Sequence, residues 1–476
     1  MANTGKEPML FTLEEVACAT GGTLLGSGVT GVSGVSTDSR SVQPGELFVA
    51  LRGERYDGHD FVAAVAAADV RCFLVAADWP AVRELPTGTV AVVVADTLRA
   101  LGDLAAWHRR RFDLPVAAVT GSNGKTTTKE MLAAILAETG PGLKTEGNLN
   151  NLIGLPLTVF RLSTADRWGV LEMGMSEFGE IDRLAEIGAP FVGVVTNAYP
   201  AHLETLGTVE GVARAKGELF LRLPAGGWAI YNADDPLVSR LPVPDGVRRL
   251  GFGLQGGEVQ GVEIQPAGRY GQRFRLLLPT GEISVELQAL GRHNVANAVA
   301  AAAAASALAV PPAAIGAGLA RFLPFDRRFR PEPVNGILLI DDSYNANPAS
   351  MAAALLTLRD VRGDGRAVAV LGDMLELGAE ARKAHRDVGR LAATCVDRLY
   401  LLGELAPEVA AGALEAGLEP EQVTIGTDHE ELLARLLRGR RAGDAVLVKG
   451  SRGMRMDRVA EGLRQALAAS RTGGSV

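Results

Sequence analysis

The segment Val116-Ala-Ala-Val-Thr-Gly-Ser-Asn-Gly-Lys-Thr-Thr-Thr128 decides the fold of the central part of the chain. It reads as a buried apolar strand, a tight glycine turn and the start of a helix whose apolar residues recur at helical spacing. Gly121 and Gly124 let the backbone turn so that successive N–H groups point inward, and the positive helix end adds to their attraction for phosphate oxygens. Lys125 can reach terminal phosphates, and the Thr126 hydroxyl suits Mg²⁺.

This glycine turn is a shortened P-loop, because Val119 stands where the full pattern has a further glycine. A glycine turn that merely leads into a structural helix is the alternative. The strand before it, the helix after it and the Lys-Thr pair favour nucleotide phosphate binding. The predicted phosphate contacts are Gly121, Ser122, Asn123, Gly124, Lys125, Thr126 and Thr127.

Length and composition describe a multidomain globular protein. The chain has 476 residues, which at about 150 residues per domain predicts three domains. An apolar fraction of 47% with 22% charged residues is typical of soluble globular proteins. The net charge of −7 and the lack of a dense basic run argue against a nucleic-acid surface.

The sequence indicates neither export nor membrane insertion. Cys18, Cys72 and Cys395 are far apart and lack metal spacing, so we expect ordinary buried thiols of a reducing compartment. The N-terminus has no apolar signal segment, which predicts a cytoplasmic protein. The longest apolar run, Val295 to Val310, is shorter than the roughly 20 residues of a membrane helix. Its alanines predict a buried helix of a soluble domain.

The order of predicted elements indicates an α/β protein with three domains. Residues 1–95 read as a small mixed α/β domain, and residues 96–325 as a central P-loop domain with a parallel sheet. Strands alternate with helices over residues 326–476, which predicts a Rossmann-like third domain with helices on both faces of a parallel sheet. No Gly-x-Gly-x-x-Gly follows its first strand, so dinucleotide binding by this domain is disfavoured.

Three polar residues of the central domain are candidates for chemistry. Glu172 ends a buried strand, and ligands bind at that end of the strands in an open α/β sheet, so Glu172 is a candidate Mg²⁺ or water-shell ligand. His202 also follows a strand, although a lone histidine is more often structural. Lys216 falls on a predicted helix and by itself is weak evidence.

Asparagine side chains form a second group of candidates. Asn148 and Asn151 lie in a loop where amides either satisfy the backbone or position a substrate. Asn294 and Asn297 are three residues apart, hence on one helical face. Amides can recognise adenine because each supplies a donor and an acceptor, and the alternative is a helix cap plus a buried polar residue.

Polar turns outside the central domain are the remaining candidates. Thr37, Ser39 and Arg40 lie in a turn that can hold a phosphate or a pyrimidine, and turn chemistry explains them equally well. In the third domain, Asp341-Asp-Ser-Tyr-Asn-Ala-Asn-Pro348 follows the first strand. Lys449-Gly-Ser-Arg452 follows the last strand and suits an anionic ligand.

Together these motifs resemble the Mur ligase family over essentially the whole chain. Thr120-Gly-Ser-Asn-Gly-Lys-Thr-Thr127 is similar to the shortened P-loop of Mur ligases and folylpolyglutamate synthases, and Gly291-Arg-His-Asn-Val-Ala-Asn297 is similar to their adenine-side motif. The resemblance is closest to the branch that adds D-alanyl-D-alanine to UDP-N-acetylmuramoyl-tripeptide. The motifs that carry it are Ala201-His-Leu-Glu204, Ala215-Lys-Gly-Glu218, Asp341-Asp-Ser-Tyr-Asn-Ala-Asn-Pro-Ala-Ser-Met351, Leu371-Gly-Asp-Met-Leu-Glu-Leu-Gly378 and Lys449-Gly-Ser-Arg452.

The resemblance implies an ATP-dependent, ADP-forming amide ligase of peptidoglycan precursor synthesis. ATP would phosphorylate the terminal carboxylate of the tripeptide, and the amine of D-alanyl-D-alanine would attack the acyl phosphate. The implied catalytic residues are Lys125, Glu172, His202 and Lys216. Two Mg²⁺ ions would be held by Thr126, Glu172, His202 and Lys216, with Lys216 either carbamylated or an unmodified contact to phosphate.

The resemblance also implies binding residues in all three domains. Beyond the P-loop, the implied ATP contacts are His293, Asn294, Asn297, Arg327 and Asp342. The implied substrate contacts are Thr37, Ser39, Arg40, Asn148, Asn151, Tyr344, Asn345, Asn347, Lys449, Ser451 and Arg452. We expect the third domain to close over the site and the protein to act as a monomer.

One residue departs from the family pattern, which has Gly-Arg at the entry to the third domain. Here Asp326 precedes Arg327, so either Arg327 or Arg328 would supply the hinge and phosphate contact. Thr37-Asp-Ser-Arg40 and Asp57-Gly-His59 resemble the UDP-sugar-binding domain of Mur ligases, which residues 1–95 would therefore form. Another Mur-type ligase, such as a folylpolyglutamate synthase, is disfavoured because the third-domain motifs fit it poorly and because of this UDP-binding resemblance. A P-loop switch without ligation is the other alternative, and it would hydrolyse ATP slowly whether or not an amine is supplied.

Overall fold

The computed structural model describes residues 9–267, 270–325 and 327–472, so Asp326 lies outside the described residues. Its strands are β1 (Phe11–Thr12), β2 (Thr23–Leu25), β3 (Gly31–Val32), β4 (Gly34–Ser36), β5 (Glu46–Val49), β6 (Cys72–Ala76), β7 (Val90–Val94), β8 (Val116–Thr120), β9 (Leu143–Lys144), β10 (Gly169–Glu172), β11 (Val192–Val195), β12 (Trp228–Asn232), β13 (Arg248–Gly253), β14 (Val259–Ala267), β15 (Gly271–Leu278), β16 (Gly281–Leu287), β17 (Arg330–Val334), β18 (Ile337–Asp342), β19 (Ala367–Gly372), β20 (Arg398–Leu402), β21 (Val423–Ile425) and β22 (Ala445–Lys449).

The α-helices lie between these strands. They are α1 (Leu13–Thr20), α2 (Val62–Ala67), α3 (Thr97–Arg109), α4 (Lys125–Ala137), α5 (Gly154–Val159), α6 (Glu180–Gly188), α7 (Leu203–Leu206), α8 (Val209–Leu221), α9 (Arg292–Ala307), α10 (Pro312–Arg321), α11 (Pro348–Val361), α12 (Ala381–Ala393), α13 (Ala406–Glu415), α14 (His429–Gly439) and α15 (Asp457–Thr472). In the part of the chain covered by the structure, no helix combines the length and apolar character needed to cross a membrane.

The chain divides into two compact units. The first unit comprises Met1–Ala118, Pro141–Met175 and Gly179–Phe191, and the second comprises Val119–Gly140, Ser176–Phe178 and Val192–Val476. The predicted domain boundaries at residues 95 and 325 coincide with neither division, and they stay a prediction.

The first unit contains a five-stranded sheet in the order β2-β7-β6-β5-β4. Strands β4 to β7 pair in parallel and β2 is antiparallel to β7, which confirms the predicted mixed α/β fold. All five residues of β6 are buried, as expected of a strand covered on both faces. Asp96 then starts α3 by accepting hydrogen bonds from the N–H groups of Leu98 and Arg99.

The second unit contains two sheet regions. Strands β11 to β14 pair in parallel, and β14, β15 and β16 continue as an antiparallel meander, which the prediction of a purely parallel central sheet missed. Buried and exposed residues alternate along β15, a pattern typical of antiparallel strands with one face on the core.

The third-domain sheet has the order β17-β18-β22-β19-β20-β21. Strands β18 to β22 alternate with helices and pair in parallel, which confirms the Rossmann-like expectation. The additional strand β17 is antiparallel to β18. It lies at the edge of the sheet, where Pro331 and Pro333 are tolerated because an edge strand can lack ladder donors.

Candidate active site

The loop from β8 to α4 has the backbone that a phosphate cradle requires. Gly121 has φ +150° and Gly124 has φ +81°, both in the region that favours glycine. A Cβ atom on Gly121 would collide with the Thr196 hydroxyl, and one on Gly124 would collide with the Asn297 carboxamide. Both the turn and the packing beneath it therefore require glycine.

Lys125 and Thr126 lie in the first turn of α4, directly after this loop. The Lys125 ammonium donates to the Gly121 carbonyl oxygen over 2.6 Å, so its charge lies across the loop. Thr126 is buried. The loop N–H groups, the helix N-terminus and the ammonium together form an anion-attracting surface.

Thr196 and Asn197, which follow β11, hold the loop from below. The Asn123 N–H donates to Asn197 Oδ1 over 2.8 Å, and Asn197 Nδ2 donates back to the Asn123 carbonyl oxygen over 3.1 Å. Thr196 Oγ1 donates to the same carbonyl oxygen over 2.6 Å. Sequence reasoning missed both residues, although a Thr-Asn pair ending a buried strand was the available signal.

The two asparagines of α9 pack against the P-loop helix. Asn297 Nδ2 donates to Asn294 Oδ1 over 3.2 Å, which confirms that they share one helical face. Asn294 Nδ2 donates to the Leu290 carbonyl oxygen over 2.8 Å, and Asn297 Oδ1 lies 3.4 Å from the Thr128 hydroxyl. These amides support the loop from the inside, and adenine recognition by them stays a prediction.

His202 and Lys216 are brought into one electrostatic environment with Lys125. Lys216 on α8 is only 2% exposed, and burial together with the charge of Lys125 holds its pKa well below the usual value. Burial also lowers the pKa of His202, and the charges of Lys125 and Lys216 lower it further against the opposing effect of Glu376. His202 Nδ1 lies 2.8 Å from Glu376 Oε2 of the third domain.

A metal site built from protein groups alone is not present in the described residues, where no three His, Cys, Asp or Glu side chains come together to hold an ion. A lysine that burial keeps neutral can, however, react with CO₂ to give a carbamate, which is an oxygen ligand. Mg²⁺ prefers oxygen donors and usually binds one or two carboxylates together with substrate phosphates. The oxygen donors predicted here, on Thr126, Glu172 and a carbamate of Lys216, therefore fit Mg²⁺ once nucleotide oxygens complete the set, whereas His202 would add a nitrogen donor.

Glu172 belongs to the first unit and ends β10, as predicted. It is 2% exposed, its N–H donates to Thr145 Oγ1 over 2.9 Å, and its Oε1 accepts from Asn150 Nδ2 over 2.8 Å. Asn150 is the third asparagine of this loop, between Asn148 and Asn151, and was not singled out as a site residue. Asn151 instead accepts from the backbone N–H groups of residues 153 and 154 at the start of α5, which is a structural role in the loop.

The turn at residues 37–40 is also in the first unit. Arg40 forms a two-pronged contact with Asp38 at 2.9 and 2.7 Å, which lowers the pKa of Asp38 to about 2. Thr37 is half-buried and Ser39 lies beside this pair. The contact satisfies the expected turn chemistry, and substrate binding by Thr37, Ser39 and Arg40 stays a prediction.

The third domain places its predicted residues at the carboxyl ends of β18 and β22. Lys449, 2% exposed, donates to Asp342 Oδ2 over 2.6 Å and to the Asn345 carbonyl oxygen over 2.9 Å. Ser451 Oγ accepts from the Leu375 N–H over 2.9 Å. The lysine is therefore neutralised within the domain, which reduces its strength as an anion site.

Arginines flank the ring of Tyr344. Arg328 lies over the ring at 3.9 Å and Arg452 at 5.6 Å. The backbone of Arg327 has φ +60°, an uncommon conformation that suits its predicted place at a hinge. Its guanidinium pairs with the Asp457 carboxylate at 3.2 Å. His293 packs edge-on against Phe329, and burial lowers its pKa to about 4, so it is a neutral ring at neutral pH.

Three family profiles match this chain in order. They are described as Mur ligase family, catalytic domain, over residues 31–109; Mur ligase middle domain, over residues 119–305; and Mur ligase, glutamate ligase domain, over residues 327–452.

Curated proteins and solved structures agree with these profiles. The chain is 38% identical to the UDP-N-acetylmuramoyl-tripeptide–D-alanyl-D-alanine ligase of Escherichia coli K12 over 95% of this chain and 98% of the relative. It is 36% identical to the Bacillus subtilis ligase of the same name, over 91% of this chain and 93% of the relative. Among structures, MurF from Acinetobacter baumannii superposes with a TM-score of 0.88 at 34% identity, covering 96% of this chain and 99% of the other. MurF from Thermotoga maritima in complex with ADP superposes with a TM-score of 0.81 at 28% identity, covering 92% of this chain and 98% of the other.

Proposed function

The chain belongs to the Mur ligase family, and we propose that it joins D-alanyl-D-alanine to UDP-N-acetylmuramoyl-tripeptide with conversion of ATP to ADP and inorganic phosphate, a step of peptidoglycan precursor synthesis. One observation carries the proposal on the structural side. The glycine cradle of the P-loop, the start of α4 and the Lys125 ammonium form one positive region, and after burial the charge of Lys125 is the second cause that lowers the pKa of Lys216.

This positive region meets the physical difficulty of the first step. A substrate carboxylate oxygen must attack the γ-phosphorus of ATP, and both groups are anionic. The P-loop N–H groups, the start of α4 and the Lys125 ammonium stabilise the charge on the transferring phosphoryl group. The new bond joins the carboxylate oxygen to phosphorus, ADP leaves, and an acyl phosphate is formed.

The second step forms the amide. The amine nitrogen of D-alanyl-D-alanine attacks the acyl carbon, the nitrogen loses a proton and inorganic phosphate leaves. Water is a competing nucleophile, so the site must exclude it while the acyl phosphate exists. Side chains of the third domain that already contact the central domain, Asn347 at Asn123 and Glu376 at His202, are suited to that closure.

Mg²⁺ on ATP would supply further charge stabilisation of the phosphoryl group when bound. We propose Thr126 and Glu172 as the residues that would hold this ion, and Glu172 and His202, together with carbamylated Lys216, as the residues that would hold a second Mg²⁺. The Thr126 hydroxyl stands in the P-loop position that binds nucleotide-associated Mg²⁺. Asn150 donates to the Glu172 carboxylate and gives it a defined direction at the end of β10, while Thr145 holds the Glu172 backbone N–H.

We assign the remaining substrate parts to the outer domains. Residues 1–95, through Thr37, Ser39 and Arg40, would bind the UDP portion, and the loop with Asn148 would contact the peptide. Residues 326–476, through Asn345 and Arg452, would bind the incoming dipeptide. Cys72 and Cys395 are buried free thiols as predicted, whereas the prediction of a buried thiol was wrong for Cys18, which is exposed. We propose an ATP-containing, reducing compartment for the enzyme.

The deciding experiment measures phosphate release from ATP and Mg²⁺ in the presence of UDP-N-acetylmuramoyl-tripeptide, with and without D-alanyl-D-alanine, and identifies products by mass. We expect release to require both substrates and the product to be heavier by one dipeptide less one water. A Lys125→Met variant should lose at least about 100-fold in kcat, since one charge-stabilising group is commonly worth that factor. Phosphate release indifferent to both substrates would disprove ligation and leave only a nucleotide-hydrolysing P-loop protein.

A further inference from the structure

Two loops with unusual backbones meet at His202 and Glu376. His202 has φ +52° and Glu376 has φ +64°, both left-handed conformations that non-glycine residues rarely adopt. Such conformations persist only where the surrounding structure imposes them, and they concentrate at functional sites. Their side chains make the contact of 2.8 Å between His202 Nδ1 and Glu376 Oε2.

The loop that carries Glu376 is anchored on both sides. Met374 and Leu377 are 2% and 3% exposed in the core of the third domain. The Met374 N–H donates to His385 Nε2 over 2.9 Å, and the Leu375 N–H donates to Ser451 Oγ over 2.9 Å. The fold therefore fixes the backbone position from which the Glu376 side chain projects.

Stability does not explain the pair. The Glu376 side chain is 63% exposed, and exposed ion pairs contribute little free energy. The geometry has a different consequence, because a carboxylate oxygen can only accept a hydrogen bond. His202 Nδ1 must then carry a hydrogen, which leaves the lone pair of the neutral ring on Nε2.

We propose that Glu376 is a positioning residue for His202: by accepting a hydrogen bond from Nδ1, it orients the ring and reserves Nε2 as the ligand atom. A carboxylate behind a ligand histidine in this way raises the basicity of the ligand and fixes its direction. Glu376 belongs to the third domain and His202 to the central domain. The His202 ring is therefore oriented for metal binding only when the two loops are in contact. The inference rests on the proposed ligase function.

The first test reads the His202 ring directly and needs neither substrate nor metal. The chain has six histidines, so ¹⁵N labelling of histidine gives few ring signals, and a His202→Gln variant identifies the one in question. At a pH where the ring is neutral, we expect the Nδ1–H tautomer in the parent protein and in Glu376→Gln, whose amide oxygen still accepts. Glu376→Ala should give a mixture of tautomers. An unchanged His202 signal in Glu376→Ala would overturn the proposal.

The second test uses catalysis and a matched control. Glu380 has the same side-chain exposure of 63% and pairs only loosely with Lys383 at 4.0 Å. Glu376→Ala should raise the Mg²⁺ concentration for half-maximal product formation about 10- to 100-fold, the usual loss for an outer partner of a metal ligand. At saturating Mg²⁺, kcat should recover, and Glu380→Ala should match the parent throughout.

The two hypotheses fail in different ways. In a His202→Ala background, Glu376→Ala should have no further effect on the Mg²⁺ requirement, and an equal effect in both backgrounds would refute positioning through His202. If the parent makes no amide product but Glu376→Ala still changes the tautomer of His202, the ligase function is refuted. The orientation of the His202 ring by Glu376 would stand.

Discussion

Asn123 of the P-loop and Asn347 at the start of α11 exchange two hydrogen bonds between their amide groups. Asn123 Nδ2 donates to Asn347 Oδ1 over 3.0 Å, and Asn347 Nδ2 donates to Asn123 Oδ1 over 2.8 Å. Asn347 Oδ1 also accepts from the Ser350 N–H over 2.9 Å and so caps α11. One side chain thus begins a third-domain helix and holds the loop that is expected to bind phosphate.

Replacing Asn347 by aspartate should separate these two roles. Asp caps helices as well as Asn does, so the melting temperature of Asn347→Asp should stay at the parent value. An aspartate oxygen would replace the Asn347 Nδ2 donor and would face Asn123 Oδ1, so the hydrogen bond between these atoms is lost. We expect the KM for ATP to rise about tenfold, which corresponds to the loss of one hydrogen bond. The reverse exchange at the α14 cap, Asp428→Asn, is the control. A parent-like KM in Asn347→Asp would show that the amide pair does not influence nucleotide binding.

The packing beneath the P-loop gives a second prediction. Gly124 and Gly226 have nearly equal φ values of +81° and +83°, but a Cβ atom meets Asn297 at Gly124 and open space at Gly226. Alanine at either position should cost about 1–2 kcal/mol from the left-handed backbone alone. Only Gly124→Ala should also abolish ATP binding in a calorimetric titration. Equal ATP affinity in the two variants would mean that the loop relaxes around the added methyl group.

Local periodicity made much of this fold predictable. The strand, turn and helix around Gly121, the alanine-rich helix α9 and the five parallel strands of the third domain all follow from patterns within a few residues of each other. The meander β14–β16 was missed although alternating polar and apolar residues are a strand signal, and the two prolines of β17 oppose a strand prediction.

The parts of the site that escaped prediction depend on contacts distant in sequence. Asn197 contacts Asn123 across 74 residues, and Asn347 contacts Asn123 across 224. No local pattern distinguishes Asn150 from Asn148 or Asn151, since only the folded loop shows which amide reaches Glu172. A motif therefore indicates the region of a site, and tertiary packing selects the residue that acts.

A buried histidine of the first unit sets a pH dependence. His108 is 1% exposed among aromatic rings, and burial, helped by the charge of Arg111, lowers its pKa to about 4. Its Nδ1 has no hydrogen-bond partner among the described residues. The unfolded chain therefore takes up a proton first as pH falls below about 6.5, so this contribution to stability is complete above that pH and lost progressively toward pH 4.

The measurement compares the parent with His108→Phe, which keeps a ring beside Phe11, Phe112 and Phe160. Between pH 7 and 8 the difference in their melting temperatures should be constant. From pH 6.5 to pH 4 the parent should lose stability relative to the variant. Parallel melting curves over that acidic range would contradict a neutral buried His108.

Lys216 provides the last prediction, because its buried amine has two possible fates. Burial and Lys125 favour the neutral amine, and a neutral amine can add to CO₂, forming an N–C bond and releasing one proton to leave an anionic carbamate. Removal of CO₂ should then lower kcat, bicarbonate should restore it, and ¹³C-bicarbonate should give a carbamate signal in the parent that is missing in Lys216→Ala. Lys216→Arg keeps a cation but cannot form this carbamate, so it should be inactive with or without bicarbonate. If Lys216→Arg is active and the parent is indifferent to CO₂, the residue acts as an unmodified cation on phosphate.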